Sequence, residues 1–225
     1  MLNLKPTILD AIGKTPLVRL NKVAPKGAAE IWVKCEYLNP SGSIKDRMAV
    51  YIIEQAEKAG LLKPGGVIVE NTSGNTGQGV AMAAAVKGYR CIFTMPDKMS
   101  MEKVKLLKAF GAEVIITPTA VPPDSPENYV NVAKRIVEET PNSVLANQFF
   151  NQVNPETHYK STAPEIWSQT QGRITHFVAG GGTGGTISGV GRFLKEQNPR
   201  VRVVMSDPAG SIFKQYHETH VKGQG

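Results

Sequence analysis

Short apolar runs rich in branched residues alternate along this chain with longer segments in which apolar positions recur every three or four residues. The short runs predict strands over 30–35, 67–70, 90–95, 113–117, 143–146, 174–179 and 201–206. Between them the spacing predicts helices. One follows Ser43, with Ile44, Met48, Tyr51, Ile52 and Ala59 on one face, Ser43 as N-cap and Gly60 as stop. A second starts at Ser100 with Glu102 in its first turn. A third starts at Ser125, with Pro126 in the first helical position and Glu127 behind it. Strands alternating with helices from about residue 29 onward are the pattern of βαβ units, so the fold class is α/β with largely parallel sheets. The segment 117–126, with four prolines in ten residues, reads as a rigid connection.

Composition narrows the function classes. A chain of 225 residues can bury one large core or two small ones. The formal charge of +7 comes from lysines and arginines scattered without a run of five, which argues against nucleic acid as a partner. Cys35 and Cys91 lie far apart in apolar stretches, with no CxxC and no histidine pair at ligand spacing. They read as buried thiols of a reducing compartment, and no metal site is expected. No apolar run approaches the roughly 20 residues of a membrane helix, and the first residues lack a secretory pattern. The expected location is the cytoplasm, away from membranes.

Three loops carry candidate chemistry: 39–47 around Lys45, 70–77 around Asn75, and 180–189, which has five glycines in its first six residues. The third joins a strand to a helix, so its N–H groups converge on an anion such as phosphate. The second places Thr72, Ser73, Asn75 and Thr76 before an Ala-rich helix over 80–86, a cradle suited to a carboxylate. Two cradles suggest a ligand with two anionic ends. Gly180, Gly182 and Gly185 also satisfy GxGxxG, with Asp207 after the next strand, which keeps a nicotinamide-dependent oxidoreductase open as an alternative. Lys45 stands in a first helical turn, where a cation opposes the helix dipole unless it is neutralised or used.

Pro40-Ser41-Gly42-Ser43-Ile44-Lys45-Asp46-Arg47, Thr72-Ser73-Gly74-Asn75-Thr76-Gly77 and Gly182-Thr183-Gly184-Gly185-Thr186 together resemble the three signatures of the cysteine synthase and cystathionine β-synthase family. These are fold-type II pyridoxal-phosphate enzymes, tryptophan synthase β-like, and the similarity runs from Ile12 to Pro208. The resemblance implies that Lys45 carries the cofactor covalently and moves the Cα proton, and that Asn75 contacts the cofactor ring. Gly182, Thr183, Gly184, Gly185 and Thr186 would hold the cofactor phosphate, while Thr72, Ser73, Thr76 and Gln148 would hold the substrate carboxylate. The implied reaction is β-replacement on serine or an activated serine by a thiol. Residues 99–104, 117–129 and 207–212 look more like the cystathionine β-synthase branch, and Phe149 more like cysteine synthases.

The resemblance further implies a larger cofactor-binding domain from 1–42 and 148–225, a smaller substrate-binding domain from 43–147, and a homodimer. The amino-terminal segment lacks the Cys and His of a haem segment, and the C-terminal part of the family fold is expected to be missing. A folded scaffold of the same architecture without activity therefore stands as a further alternative.

Overall fold

The computed structural model describes residues 4–72 and 74–221. The chain divides into two compact units, with the boundary after Val153.

In the first unit, a single helical turn, Ile8–Ala11, is closed by a capping box in which Thr7 and Asp10 each bind the other's backbone N–H. Strand β1 (Leu17–Arg19) then pairs antiparallel with β2 (Trp32–Lys34). Three-residue strands with mostly exposed side chains give little periodic signal, which explains why β1 was not expected and β2 is shorter than the run that predicted it. Helix α1 (Lys45–Lys58) leads to β3 (Val67–Glu70), α2 (Asn75–Lys87), β4 (Arg90–Pro96), α3 (Met101–Ala109), β5 (Glu113–Thr117), α4 (Tyr129–Glu139) and β6 (Ser143–Leu145). The four strands β3 to β6 form one parallel sheet in the order β5-β4-β3-β6, as the α/β pattern predicts.

Alternation sorts the sheet's residues between two layers. Ile68, Phe93 and Met95 pack with Met48, Ile52 and Ile53 of α1 and Val80, Ala83 and Ala84 of α2. Val67, Val69 and Ile92 pack on the other side with Ala133 of α4. Helix α2 is apolar around its whole girth, which suits its burial between α1 and the sheet.

Three helix starts differ from expectation, the first being α2, expected over 80–86 and beginning at Asn75. The helix expected at Ser125 begins at Tyr129, because 125–128 closes as a turn (Asn128 N–H to Ser125 carbonyl, 3.0 Å) and the Asn128 side chain caps the Val130 N–H at 3.0 Å. Pro126 therefore belongs to the turn. Ser43 lies one residue before the N-cap position, where its hydroxyl accepts from the Lys45 N–H at 3.2 Å.

The second unit contains α5 (Val153–Thr157), which begins one residue before the boundary, followed by a π-helical turn His158–Thr162 and α6 (Ala163–Gln169). A right-sized βαβ unit follows: β7 (His176–Gly180), α7 (Gly185–Gln197) and β8 (Arg202–Ser206), the strands parallel, and then α8 (Ile212–Thr219). Ala163, Ile166, Val190, Leu194 and Val201 make its core.

Candidate active site

Lys45 is set in place by the residues on either side of it. Asp46, fully buried, accepts from the Ser41 N–H at 2.7 Å and from the Ser41 hydroxyl, which ties the turn before α1 to the helix itself. Arg47, also buried, donates to Glu36 at 2.7 and 2.9 Å and to the Thr15 hydroxyl at 3.2 Å. Burial alone would discourage ionisation of Glu36, but the hydrogen bonds and charge of Arg47 outweigh it and hold the carboxyl below its ordinary value. The start of α1 also lies close to α2. A Cβ on Gly79 would stand 3.2 Å from the Asp46 carboxylate, from Ala49 and from the Lys45 carbonyl, so glycine lets the two helices approach without these neighbours shifting.

Burial lowers the pKa of the half-buried Lys45 amine below its ordinary 10.5. Desolvation disfavours the ammonium, so the neutral, nucleophilic form is favoured more than on a solvated lysine.

Lys45 lines a cavity of about 410 Å³ with Asn71, Thr72, Gly74, Asn75 and Thr76 from the β3–α2 connection. Pro96 ends β4 and Lys98 and Met99 follow it, Tyr129 opens α4, and Gln148 and Phe149 follow β6. The cavity therefore sits beyond the carboxyl ends of three adjacent parallel strands, the usual ligand position in an open α/β sheet. The Thr76 hydroxyl donates to the Gln148 amide oxygen at 2.6 Å, with both residues buried, so the amide's donor end faces away from Thr76. The structure thus brings together Lys45, Thr72, Asn75, Thr76 and Gln148 from the sequence expectation. Ser73 lies outside the described residues.

Beneath this cluster lies Glu70, which sequence reasoning did not single out. It is the last residue of β3 and fully buried; one carboxyl oxygen accepts from the Asn147 N–H at 2.6 Å and the other has no partner. Burial pushes its pKa up to about 7 against the pull of the Asn147 and Gln148 backbone N–H groups. These bonds fix the turn at Asn147, whose φ of 53° is left-handed, and with it the start of the Gln148 segment. Lys98 and Tyr129 were also missed. Their signal was position alone, since each lies near the boundary between a loop and a predicted element.

In the second unit the glycine loop runs from the end of β7 into α7. Gly184 has a φ of 80°, and a Cβ on Gly185 would overlap the Asn154 side chain. The Thr183 hydroxyl accepts from the Asn154 amide at 2.9 Å, and the Thr186 hydroxyl lies 3.4 Å from Nε2 of the buried His158, whose Nδ1 meets Thr162 at 3.0 Å. Gly180 and Gly182 would place a Cβ in open space. Backbone N–H groups at a helix N-terminus, with hydroxyls held by neighbours and room left by missing side chains, form a donor set that fits a phosphate. Each unit by itself thus carries groups suited to part of pyridoxal phosphate: a desolvated lysine beside hydroxyls and amides in the first, and a phosphate-fitting donor set in the second. Asp207 accepts from the Lys214 N–H at 3.1 Å, a contact that joins the β8 loop to α8.

Both cysteines are free and buried, and no described helix is long and apolar enough to cross a membrane.

A family model described as pyridoxal-phosphate dependent enzyme matches residues 8–223. The chain is 55% identical over 210 residues to a cystathionine beta-synthase of Apis mellifera, covering 92% of this chain and 42% of that protein. It is 50% identical over 214 residues to a probable cysteine synthase of Bacillus subtilis, covering 94% and 68%. A hydrogen sulfide-producing enzyme of Fusobacterium nucleatum matches in structure with a TM-score of 0.89 at 38% identity, over 100% of this chain and 71% of that one. The chain spans about two-fifths of the length of the animal cystathionine beta-synthases it matches. The nicotinamide reading of Gly180, Gly182, Gly185 and Asp207 finds no support in these matches.

Proposed function

The chain belongs to the pyridoxal-phosphate-dependent enzymes, and from that premise we propose that it replaces the β-substituent of serine or an activated serine with a thiol, homocysteine being the thiol and cystathionine the product. The observation that carries this reading is a half-buried lysine with a lowered pKa in one cavity with the hydroxyls and amides at the start of α2.

In this reading Lys45 holds the cofactor, with Asn75 at its ring and Gly182, Thr183, Gly184, Gly185 and Thr186 at its phosphate. When bound, the cofactor supplies the electron sink that acidifies Cα–H and allows the β-substituent to leave. Lys45, freed as a neutral amine, takes the proton from Cα and returns it after the thiol has added. Thr72, Ser73, Thr76 and the donor end of Gln148 bind the substrate carboxylate at the positive end of α2, which aligns the Cα–H bond with Lys45. Glu70 keeps Gln148 in register from below.

A second reading, cysteine synthase with sulfide as nucleophile, draws on Phe149 and on the 50% identity to the Bacillus subtilis protein. By family pattern, residues 43–147 form the smaller, substrate-binding domain and 1–42 with 148–225 the larger. A cytoplasmic homodimer acting on small amino-acid and thiol substrates completes the proposal.

The test is the visible absorption spectrum of the purified chain with pyridoxal phosphate, before and after L-serine, repeated on Lys45→Ala. A band that requires Lys45 and shifts with serine supports the assignment. A folded protein without such a band would identify a scaffold rather than an enzyme.

A further inference from the structure

The cavity has an asymmetry of charge that the proposed carboxylate cradle does not use. Among its described lining residues are two lysines, Lys45 and Lys98, and no carboxylate. Lys45 is committed to the cofactor in the reading above. Lys98 is then the remaining cation of the cavity wall. The ion pairs of the described residues leave its ammonium unclaimed.

Its neighbours hold its backbone and not its charge. The Asp97 N–H donates to the Thr117 carbonyl at 2.9 Å, and the Met99 N–H to the Pro96 carbonyl at 3.1 Å. The Lys98 N–H donates to the Thr119 hydroxyl at 3.3 Å. On the adjacent Asp97, Oδ1 accepts from the Thr119 hydroxyl at 2.6 Å and from the Thr119 N–H at 3.2 Å. An exposed lysine is thus carried on a turn anchored to the end of β5, at the rim of a cavity whose other candidate acid-binding groups include those of a different connection, β3–α2.

One substrate carboxylate is satisfied by Thr72, Thr76 and Gln148. A solvent-exposed cation on another part of the rim suits a second anionic group. We propose that Lys98 binds the carboxylate of the thiol substrate, so that the cavity selects an amino-acid thiol such as homocysteine over sulfide, which has no carboxylate. The assignment rests on the β-replacement reading and names its second substrate class. It predicts a difference between the two branches left open above, because sulfide has no carboxylate to pair with this charge.

The experiment measures binding as well as turnover, using the full chain loaded with pyridoxal phosphate. Calorimetric titration with L-cystathionine, which carries both carboxylates, and with L-serine, which carries one, is run on wild type, Lys98→Met and Lys98→Arg. An ion pair in a solvent-connected cleft is worth up to about fivefold in affinity. The expected result is cystathionine binding about fivefold weaker in Lys98→Met, restored in Lys98→Arg, with serine and cofactor affinities unchanged.

In turnover with serine, the KM for homocysteine should rise by the same factor in Lys98→Met while that for homocysteine methyl ester stays fixed. Equal loss for serine and cystathionine, or a loss of cofactor affinity, would assign Lys98 to the first substrate or the cofactor phosphate and overturn the proposal. So would unchanged cystathionine binding, or no cystathionine binding to wild type. Lys98-dependent cystathionine binding without turnover would count against the β-replacement activity and leave the second-carboxylate subsite standing.

Discussion

Glu70 offers the sharpest quantitative consequence of this structure. Its carboxyl is fully buried, with a pKa raised from the ordinary 4.5 to about 7. Between those two values the folded chain holds a proton that the unfolded chain has released. Stability contributed by this group is therefore fully present below 4.5, falls as pH rises to about 7, and is level above it. At about 1.4 kcal/mol per pH unit, the ionised carboxylate costs the fold about 3 kcal/mol at pH 8 relative to the protonated form. Glu70→Gln keeps the shape and the acceptor for the Asn147 N–H but stays neutral. Urea denaturation of both proteins, followed by far-UV circular dichroism from pH 5 to 8, should show similar stabilities at pH 5 and the variant ahead by about 2–3 kcal/mol at pH 8. Other carboxylates titrate in both proteins and cancel in the difference. A difference that stays flat across this range would refute the burial argument.

Arg47→Met leaves the partly buried Glu36 with its hydrogen bonds from Thr15 and Asn39 but without the guanidinium and should cost about 2–3 kcal/mol, below the full cost of breaking a buried pair, much of it recovered in the double variant with Glu36→Gln, as read from denaturation midpoints. Lys45→Met removes a desolvated amine whose lowered pKa makes the native state gain stability as pH rises. The variant should be more stable than the cofactor-free wild type, most clearly at low pH in that comparison, while losing the visible band. Two glycine substitutions should part company. Gly189→Ala drives a Cβ into the Pro155 carbonyl and to 2.9 Å from the Tyr159 nitrogen, both backbone, and should lower stability by about 1–3 kcal/mol or more. Gly182→Ala has open space and should keep its melting temperature, while its added methyl at the phosphate loop lowers cofactor affinity in titration.

Much of the fold was legible because its signals are local. The runs at 67–70 and 113–117 coincide with β3 and β5: β3 is buried along its whole length and so reads as a continuous apolar run up to Glu70, and the edge strand β5 still carries the branched run Val114-Ile115-Ile116. The loops around Lys45, Asn75 and Gly182 were legible because backbone approach and anion binding restrict residue types at fixed spacing. The helix start at Tyr129 was not, because Pro126 suits a first helical turn and a β-turn equally, and hydrogen bonds from the Asn131 amide to the Pro123 and Ser125 carbonyls, each 2.9 Å, favour the turn. Strand β1 escaped notice because its pairing with β2 lies in backbone bonds that any side chain permits.

The sequence by itself determined most of the strands and helices from β3 onward and which residue types could bind an anion or act as an amine, since these depend on neighbours within one turn or loop. Only the tertiary structure decided what shares a cavity. The sheet order β5-β4-β3-β6 sets the ends of β3, β4 and β6 side by side, so Lys45, Lys98, Tyr129 and Gln148 meet although they are far apart in the chain. The same packing buries Glu70, because the exposure of a strand's last residue is fixed by the strands and helices that cover it rather than by its own sequence.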